Sequence, residues 1–473
     1  MFLIKSDKPY LENELGDIAR LFFARDDDVQ IFARTQTDGE RLSGEITVRA
    51  GGKVLSCAYS EKDKLLSQGG FIPRRLEKRA AKAALYQLLS RGFPVSLPYG
   101  ALTGIRPSKL LRQIRAERSN ADEYMTDYLC VSPEKLRLLG DIEREQSPYI
   151  AQGEGRCALY VNVPFCRGRC SYCSFVSCDI TKAGGQLAGD YVRALVSEIA
   201  HARALIAREG LSVGSIYVGG GTPSSLELCQ IQTLLEAIGS PGGAEYTFEA
   251  GRPDSITPQL LELLKSGGVS RISVNPQTMH ADTLKAIGRA HTPEDFIRAY
   301  ELSKKYGFLI NTDLIMGLEG EDAEMFAQSL GGVIALGPDN VTVHALALKS
   351  GSRLKEQSVR RPDAPQAEHM SGHAYRTLTA AGYSPYYTYR QKYSAGNLEN
   401  TGYCTPGNAC LYNMDNMEEL CSVIACGANA ITKRVSRGGE LITRSANPKD
   451  IPTYIEKLDA CMEKKRALFE QGD

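Results

Sequence analysis

The sequence predicts an α/β protein whose central part is a partial barrel of six βα units, between an N-terminal α+β domain and a C-terminal extension. The first observation is size: the chain has 473 residues, 42% apolar and 24% charged, enough for about three domains with buried cores. The second is the alternation of short apolar runs with longer helical patterns between residues 158 and 346. The flanking segments lack this alternation, which predicts three domains at 1–150, 156–350 and 351–473. A linker is predicted at Gly153-Glu-Gly155.

The N-terminal domain is predicted to begin with a small antiparallel sheet. Its three strands, with a two-residue turn at Gly51-Gly52 between the last two, are Val29–Ala33, Ile46–Ala50 and Val54–Tyr59. A helix follows over 73–91, and four of its basic residues share a face: Arg75, Lys78, Arg79 and Lys82. From Phe71 to Arg118 there are eleven Lys or Arg and two acids. This pattern indicates either a solvated helix face or a surface for RNA or an acidic partner.

Six segments of the central part have the apolar character of buried strands. They are Leu159–Val163, Ser215–Val218, Tyr246–Ala250, Ile272–Val274, Phe308–Ile315 and Val341–Leu346. Helical patterns such as 191–207 lie between them, with apolar residues on one face. This alternation predicts parallel strands joined by right-handed connections. In such barrels the chemistry lies at the carboxyl ends of the strands.

Composition narrows the class of protein. The 56 basic and 56 acidic residues cancel, which argues against a dedicated nucleic-acid binder. The first ten residues include Lys5 and Asp7, and no later apolar run approaches the roughly 18 residues that span a bilayer. We therefore expect a cytosolic protein without a membrane partner. Thirteen cysteines, an odd number in a long chain without a signal peptide, indicate reduced thiols and metal ligands rather than disulfides.

Three of the cysteines are closely spaced, in Cys166-Arg-Gly-Arg-Cys170-Ser-Tyr-Cys173. A closed zinc or ferredoxin site needs four ligands. Three thiolates on a [4Fe-4S] cluster instead leave one iron open, and a small molecule can chelate that iron through an amine and a carboxylate. The alternative is a zinc site completed by Cys178 or Cys157.

This segment resembles the opening signature of the radical S-adenosylmethionine (SAM) enzymes, and most closely the oxygen-independent coproporphyrinogen III oxidase (dehydrogenase) family. Tyr160-Val-Asn-Val-Pro-Phe165 precedes the cysteines. The later motifs follow in that family's order: Gly219-Gly-Gly-Thr-Pro223, Thr247-Phe-Glu-Ala-Gly-Arg-Pro-Asp254, Arg271-Ile-Ser-Val-Asn-Pro-Gln277, Ile287-Gly-Arg-Ala-His291 and Asn311-Thr-Asp-Leu-Ile-Met-Gly317. Segments 103–109, 387–392 and 396–403 resemble its Firmicute-type subgroup. The resemblance therefore extends over most of the chain.

The resemblance implies a [4Fe-4S] cluster and SAM as cofactors, with Cys166, Cys170 and Cys173 as the cluster ligands. The family positions that bind SAM are Gly219, Gly220, Gly221, Thr222, Glu249, Gln277, Arg289 and Asp313. The glycines would let SAM approach the backbone, and the Arg289 fork suits a carboxylate. Tyr160 matches a catalytic tyrosine near the sulfonium. From the residues alone, the charged positions could equally form structural ion pairs.

Two positions depart from the family pattern. The best-studied branch has another cysteine two residues after the third, whereas this chain has Phe175, which resembles the branch with heme chaperone-like members. Asn162 lies where a histidine is frequent, so no histidine role transfers to it. We expect His291 to be a buried, hydrogen-bonded residue and His201 a structural one.

The C-terminal extension is rich in tyrosine, with seven between Tyr383 and Tyr412. A tyrosine has a flat apolar face and a polar tip, which suits either a macrocycle with carboxylates or a packed loop core. Arg390 and Lys392, among these tyrosines, are predicted to bind substrate carboxylates as catalytic residues. Four cysteines could hold a second cluster, although their spacing matches no compact pattern: Cys404, Cys410, Cys421 and Cys426.

The reaction implied by the resemblance begins when the reduced cluster passes an electron to SAM. The 5′-deoxyadenosyl radical then removes hydrogen from the β-carbon of a coproporphyrinogen III propionate, and carbon dioxide and an electron leave. Repetition at a second propionate gives protoporphyrinogen IX. The partners implied are the porphyrinogen and an external electron donor and acceptor. Two alternatives stay open: a heme-trafficking protein on the same scaffold, and a radical SAM enzyme that acts on RNA through the basic N-terminal helices.

Overall fold

The structure is a computed structural model that describes residues 2–470, except for 25, 69, 94, 96, 105, 151–154, 348–351, 353–363, 392–393, 437–438 and 440. Two compact units make up the chain, Met1–Gly140 and Asp141–Asp473. The border between them lies within a helix, ten residues before the border predicted at 150. Gly153 and Glu154 of the predicted linker lie outside the described residues. The division into three domains stays a prediction.

A four-stranded sheet forms the first part of the N-terminal unit, in the order β1-β2-β3-β4. The strands are β1 Phe2–Ser6, β2 Val29–Asp38, β3 Arg41–Ala50 and β4 Lys53–Lys62. β1 is parallel to β2 and the other pairs are antiparallel. Gly51 and Gly52 have φ of 54° and 72°, and this left-handed backbone makes the tight turn that the sequence predicts between β3 and β4.

Helices complete the N-terminal unit: α1 Pro9–Phe22, α2 Ile72–Gly92, α3 Pro107–Glu117, α4 Ala121–Glu123 and, up to Gly140, α5 Pro133–Ile150. The apolar faces of α1 and α2 pack on the inward-facing residues of β2 and β3 in one core. In this core Leu11 and Leu15 meet Ile31 and Val48, which alternate with exposed or half-buried residues along their strands.

The four basic residues on the predicted face of α2 are all paired with glutamates of other helices. The pairs are Arg75 and Arg79 with Glu117, and Lys78 and Lys82 with Glu14. Their N–O distances range from 2.5 to 3.3 Å. Four positive side chains share two carboxylates, so these residues leave two positive charges in excess, but all four cations are already held in ion pairs. This weakens the interpretation as an RNA surface.

The second unit is built on one eleven-stranded sheet, in the order β13-β14-β12-β11-β10-β9-β8-β5-β15-β16-β17. The six parallel strands predicted from the sequence are present in chain order: β5 Arg156–Val163, β8 Ser212–Gly220, β9 Glu245–Phe248, β10 Arg271–Ser273, β11 Leu309–Met316 and β12 Asn340–Ala345. A separate two-stranded sheet contains β6 Phe165–Cys166 and β7 Cys178–Asp179. The predicted partial βα barrel is therefore confirmed.

The C-terminal extension adds strands at both sides of these six. They are β13 Ser384–Arg390, β14 Glu399–Cys404, β15 Ser422–Cys426, β16 Ile431–Ser436 and β17 Leu441–Ala446. β14 pairs antiparallel with β12, and β15 pairs parallel with β5. The extension is thus part of the same sheet as the central region.

Helices α6 to α15 make up the rest of the second unit: α6 Ile180–Arg208, α7 Leu228–Ile238, α8 Pro258–Ser266, α9 Ala281–Ala286, α10 Pro293–Lys305, α11 Ala323–Leu336, α12 Ala364–Ala380, α13 Leu411–Glu418, α14 Ile451–Glu456 and α15 Leu458–Glu470. Most of them pack on one face of the sheet in a large apolar core. A second, tyrosine-rich core includes α13 and the opposite face of β5. Within the described residues, no helix has the length and apolarity to cross a membrane.

Candidate active site

A cavity of about 340 Å³ lies among the carboxyl ends of the parallel strands. Ten of the predicted site residues line it: Cys166, Cys170, Cys173, Gly220, Gly221, Thr222, Glu249, Gln277, Arg289 and Asp313. They come from five successive βα units, so residues distant in sequence meet in one place. The volume is typical of a small-molecule site.

Of the three closely spaced cysteines, Cys166 ends β6, and Cys170 and Cys173 lie in the connection between β6 and β7; the side chains of all three are half-buried. Thr222 Oγ1 donates a hydrogen bond to Cys166 Sγ at 3.5 Å. Burial raises the pKa of the Cys166 and Cys173 thiols. Metal binding must therefore release protons from these two groups.

The donor set of this connection fits a four-iron cluster. Among the described residues, no three His, Cys, Asp or Glu side chains surround a point where one metal ion could bind, as a zinc site requires. The thiolates of a four-iron cube bind different irons and lie further apart. Cys157, a candidate fourth zinc ligand, lies within β5, where burial raises its pKa to about 12. Three thiols that line one cavity fit a cluster with one open iron.

The glycine segment at the end of β8 has no room for side chains. A Cβ on Gly220 would lie 2.0 Å from Asn162 Oδ1, and one on Gly221 would lie 2.4 Å from the Phe165 carbonyl oxygen. Gly220 also has φ of 108°, which side-chain-bearing residues rarely adopt. The backbone here is open to the cavity, as the methionine end of SAM would require.

Glu249 follows β9 and lines the cavity beside the glycine segment. Its carboxylate accepts hydrogen bonds from Tyr217 Oη at 2.5 Å and from the Gly220 N–H at 3.2 Å. Burial raises its pKa to about 7, and the nearby charge of Asp313 acts in the same direction. The carboxyl group can therefore change its protonation state near neutral pH.

Asp313, in β11, is held in its ionised form. Burial opposes that form, but His344 and Asn311 outweigh burial and lower the pKa of the carboxyl group. Asn275 Nδ2 and Asn311 Nδ2 each donate to it at 2.9 Å, and His344 Nε2 lies at 3.7 Å. An ionised carboxylate at the cavity can accept hydrogen bonds from ribose hydroxyls.

Gln277 and Arg289 also fit the binding of a polar cofactor. Gln277 has a strained backbone with φ of 69°, held by a hydrogen bond from its N–H to the Asp313 carbonyl at 3.1 Å. Arg289 is buried and donates through Nη1 to the Gly251 carbonyl at 3.2 Å, while its buried Nε has no hydrogen-bond partner among the residues that the structure describes. A carboxylate ligand could satisfy that donor.

Two predicted site residues lie behind the cavity lining. Tyr160 Oη donates to Asn162 Oδ1 at 2.9 Å, and its ring stacks on Tyr412 with centroids 5.8 Å apart. Its neighbour Tyr217 is the tyrosine that lines the cavity. Gly219 lies next to the lining, where a Cβ would meet Glu249 Oε2 at 2.7 Å.

Arg390 corrects a prediction about the substrate. It is buried in β13, and Nη2 and Nε donate to the Asn397 carbonyl at 2.8 and 3.2 Å. Tyr389 and Gln391 line the cavity but Arg390 does not, because successive strand residues point to opposite faces. The predicted contact of Arg390 with substrate carboxylates is therefore not supported. Lys392 lies outside the described residues.

Comparisons with known proteins agree with this geometry. The Radical SAM superfamily signature matches residues 160–331. The chain is 34% identical over 455 residues to the oxygen-independent coproporphyrinogen-III oxidase-like protein HemZ of Bacillus subtilis (strain 168), covering 88% of this chain and 90% of that protein. The chain belongs to this radical SAM family.

Two further relatives are informative. The heme chaperone HemW of Escherichia coli (strain K12) is 28% identical over 299 residues, which cover 62% of this chain and 74% of HemW. The solved structure of coproporphyrinogen III oxidase (HemN) from Escherichia coli has a TM-score of 0.53 at 22% identity, covering 66% of this chain and 72% of HemN. That structure supports the fold. Radical SAM proteins use a [4Fe-4S] cluster and SAM, and the cavity residues fit both.

Four residues that line the cavity of this radical SAM protein were not predicted from the sequence. Tyr217, Asn275, Asn311 and His344 line the cavity and support Glu249 or Asp313. Both asparagines lie in family-like motifs, Asn275 in 271–277 and Asn311 in 311–317, so membership of these motifs could have indicated them. Tyr217 and His344 lie in strands, where alternate side chains point to opposite faces. The alternation predicts which residues face the cavity only when the inward face of the strand is known.

His291 is buried, as predicted, but neither ring nitrogen has a hydrogen-bond partner within the described residues. Burial and the charge of Arg289 lower the pKa of His291 to about 4. The ring is therefore neutral at physiological pH.

The four C-terminal cysteines do not form a second cluster site in the structure. Cys421 directly precedes β15 and Cys426 is its last residue, so the length of the strand separates them by about 16 Å. Cys410 Sγ lies 3.2 Å from Glu245 Oε1, and Cys426 Sγ lies 3.7 Å from Lys465 Nζ. Cys410 and Cys426 thus have different polar neighbours.

Proposed function

We propose that this radical SAM protein oxidatively decarboxylates two propionate side chains of coproporphyrinogen III to vinyl groups, giving protoporphyrinogen IX. The observation that carries the proposal is that Tyr387 and Tyr389, from the tyrosine-rich extension, line the same cavity as the cysteine thiols and the SAM-binding positions. Flat rings with polar tips suit a macrocycle next to the reacting groups. The names of HemZ and HemN support the same substrate.

The roles of the protein's residues follow from their positions. Cys166, Cys170 and Cys173 would hold the cluster, and the buried Arg289 donor would bind the carboxylate of SAM. Glu249 and Asp313 would accept hydrogen bonds from the ribose. When bound, the cluster and SAM supply a carbon radical that removes a hydrogen atom from the substrate.

Tyr217, Tyr387 and Tyr389 would shield the reaction from water and position the macrocycle. Tyr387 Oη donates to Thr342 Oγ1 and Tyr389 Oη lies near His344 Nδ1, at 3.4 and 3.5 Å, so both rings are held at their polar ends. Each propionate loses one hydrogen atom, carbon dioxide and one further electron. An external electron donor and acceptor are therefore part of the proposal, in a cytosolic setting.

The test is anaerobic incubation of the reconstituted protein with SAM, dithionite and coproporphyrinogen III, with mass analysis of the porphyrin products and of 5′-deoxyadenosine. The wild type should yield products with one and two vinyl groups. Tyr389→Ala should lower their formation about ten-fold, because one wall of the substrate site is removed. Tyr389→Phe keeps the ring and should retain most of the activity.

A heme-trafficking role is the second candidate. Phe175 replaces a cysteine of the best-studied branch and is 63% exposed at the edge of the cavity. Relatives named heme chaperone match over 41% to 63% of the chain. In that case SAM cleavage would yield no decarboxylated porphyrin, whereas titration with heme would give a stoichiometric complex. This outcome would replace the decarboxylation proposal.

A further inference from the structure

We propose that the side-chain amide of Asn400 binds the carboxylate of the propionate that reacts, and so determines which part of the substrate is presented to the radical. Asn400 lies on β14, in the C-terminal extension, and lines the cavity. The inference rests on the proposed function, because it names a contact between the site and that substrate. Asn400 would be a specificity-determining residue of the reaction.

The pairing of β14 puts Asn400 on the face of the sheet that forms the cavity wall. Thr342 of β12 is opposite Gly402 of β14. Opposite residues and alternate residues share a face, so Asn400 lies on the same face as Thr342, which lines the cavity. On its other side Asn400 is opposite Tyr389 of β13, which also lines the cavity. The C-terminal extension therefore brings Asn400 to the wall that holds the tyrosines.

One hydrogen bond fixes the orientation of the Asn400 amide. The Ala345 N–H donates to Asn400 Oδ1 at 2.7 Å. A backbone N–H can only donate, so the atom that it meets must be the amide oxygen, and the NH2 group points elsewhere. Asn400 is 1% exposed, and its Nδ2 has no hydrogen-bond partner among the residues that the structure describes. Because an unpaired buried donor is costly, a ligand that accepts from it gains affinity.

The chemistry of the substrate selects the group that accepts from Asn400. The pyrrole nitrogens of a porphyrinogen carry hydrogen and are donors, so its hydrogen-bond acceptors are the carboxylate oxygens. The substrate can therefore satisfy the Asn400 donor only through a carboxylate. A single CH2 group separates that carboxylate from the carbon that loses hydrogen. Holding the carboxylate thus also positions the reacting carbon.

The charge of the wall favours the propionate that reacts. Of the described residues that line the cavity, three are arginines: Arg169 in the cysteine connection, Arg252 after β9 and Arg289 after α9. The described lining residues of β12, β13 and β14 include no lysine or arginine. An ion pair with arginine would stabilise the carboxylate before carbon dioxide leaves and so oppose its loss. A neutral amide positions the carboxylate with less of this ground-state stabilisation.

A flat ring lies beside the Asn400 donor. A Cβ on Gly402 would lie 1.9 Å from Tyr387 Cε1, so the ring of Tyr387 occupies the space above β14 that a side chain would fill. Gly402 is two residues from Asn400, about 7 Å along the strand. A pyrrole ring and its propionate can cover this span. The wall therefore offers an aromatic surface for the ring and a donor for its carboxylate.

The experiment measures substrate binding by the reconstituted full chain with SAM and without a reductant, so that the substrate binds but does not react. Anaerobic equilibrium dialysis gives the Kd of coproporphyrinogen III and of its uncharged tetraamide, each quantified by fluorescence after oxidation in air. Asn400→Ala should weaken binding of coproporphyrinogen III about ten-fold, because the donor to a charged group is lost.

Asn400→Asp is the sharper variant. It keeps an oxygen for the Ala345 N–H and replaces the donor by an acceptor. At pH 8 it should weaken binding of coproporphyrinogen III about 100-fold, because the new carboxylate repels that of the substrate. It should bind the tetraamide at least as well as the wild type does, since an amide NH2 can donate to the new carboxylate.

The matched control is Asn416→Asp on α13. Asn416 undergoes the same chemical change but does not line the cavity, and its Oδ1 accepts a hydrogen bond from Lys433 Nζ. This variant should bind both ligands as the wild type does. Calorimetric titration should give the same SAM affinity for the wild type, the two Asn400 variants and the control, which also shows that the variants are folded.

Three outcomes would contradict the proposal. Equal affinities of the wild type and Asn400→Asp for coproporphyrinogen III would overturn the role of Asn400 and leave the proposed function intact. A parallel loss of SAM affinity would also overturn it, because Asn400 would then bind the cofactor. If the wild type neither binds nor decarboxylates coproporphyrinogen III, the proposed function fails, and the role of Asn400 fails with it.

Discussion

Cysteine has different surroundings in two regions of the molecule. One set lies at β6 and the connection that follows it (Cys166, Cys170 and Cys173), and the other lies in the C-terminal extension (Cys404, Cys410, Cys421 and Cys426). The first set is half-buried and lines a cavity. The second set is buried in apolar cores, with Cys404, Cys410 and Cys421 in the tyrosine-rich core and Cys426 in the larger one. Burial raises the pKa of Cys426 to about 12, so this thiol is a neutral core residue. A shared cavity, rather than the number of cysteines, distinguishes the predicted cluster ligands from the cysteines of the core.

The buried carboxylates differ in the same way. Glu198 on α6 is surrounded by donors: Lys465 Nζ and Asn447 Nδ2 at 2.8 Å, and Tyr454 Oη and the Gly427 N–H at 2.6 Å. Glu249 has two donors and faces the cavity. A fully satisfied carboxylate stabilises the fold, whereas an incompletely satisfied one is available to a ligand.

The largest expected effect separates the two cysteine sets. Cys170→Ala should lower the iron content of the anaerobically reconstituted protein from about four per chain to nearly zero, because the cluster loses one of three ligands. Cys421→Ala, the control from the extension, should leave iron unchanged. Iron and sulfide analysis measures both. About eight irons per wild-type chain would mean that the extension holds a second cluster, contrary to the comparison.

The next effect concerns the glycine segment. Gly220→Ala should weaken SAM binding about ten-fold or more, because the new Cβ would displace Asn162 and the backbone that SAM approaches. Gly210→Ala is the matched control, since Gly210 also has positive φ, 65°, but its Cβ would have nothing within 4 Å. Calorimetric titration with SAM measures the affinity. Equal SAM affinities in the two variants would remove the glycine segment from the SAM site.

The Glu198 site tests stability rather than cofactor binding. Lys465→Met should lower the free energy of unfolding by about 3–5 kcal/mol, because it leaves the buried Glu198 without its cation. Lys464→Met, an exposed neighbour, should change it little. Denaturant unfolding of the apoprotein gives both values. A marked loss of SAM affinity in folded Lys465→Met protein would show that the two regions are coupled.

The smallest effect is a pH dependence at Glu249. Its pKa in the folded protein, about 7, exceeds the ordinary value of 4.5. The folded state therefore binds the proton more tightly, and the contribution of Glu249 to stability falls as pH rises from about 4.5 through 7. Glu249→Gln should be more stable than the wild type at pH 8 and lose that advantage towards pH 4.5.

The control is Glu262→Gln, an exposed substitution on α8, which should follow the wild type. Urea unfolding at several pH values measures the difference. A constant difference between Glu249→Gln and the wild type at all pH values would mean that the Glu249 carboxyl does not titrate in this range.

Local patterns in the sequence were enough to predict the barrel and most of the site. Six apolar segments became the six parallel strands, and ten of the predicted site residues line one cavity. These residues meet because the carboxyl ends of parallel strands share an edge, so motifs that follow strands must lie close together. Their roles stay predictions. The turn at Gly51-Gly52 was predictable because only a left-handed backbone closes it in two residues.

The sequence by itself determined the features that have a short-range cause. These are the cysteine spacing, the strand periodicity and the positions of the glycines. The tertiary structure alone decided which side chains face which partners. Arg390 points away from the cavity and Tyr389 into it because of the register of β13, which contains an irregularity between Pro385 and Tyr387. Glu14 forms an ion pair with Lys78 although they are 64 residues apart in sequence. Strand facing and ion pairing of this kind depend on contacts between distant segments, which no local pattern specifies.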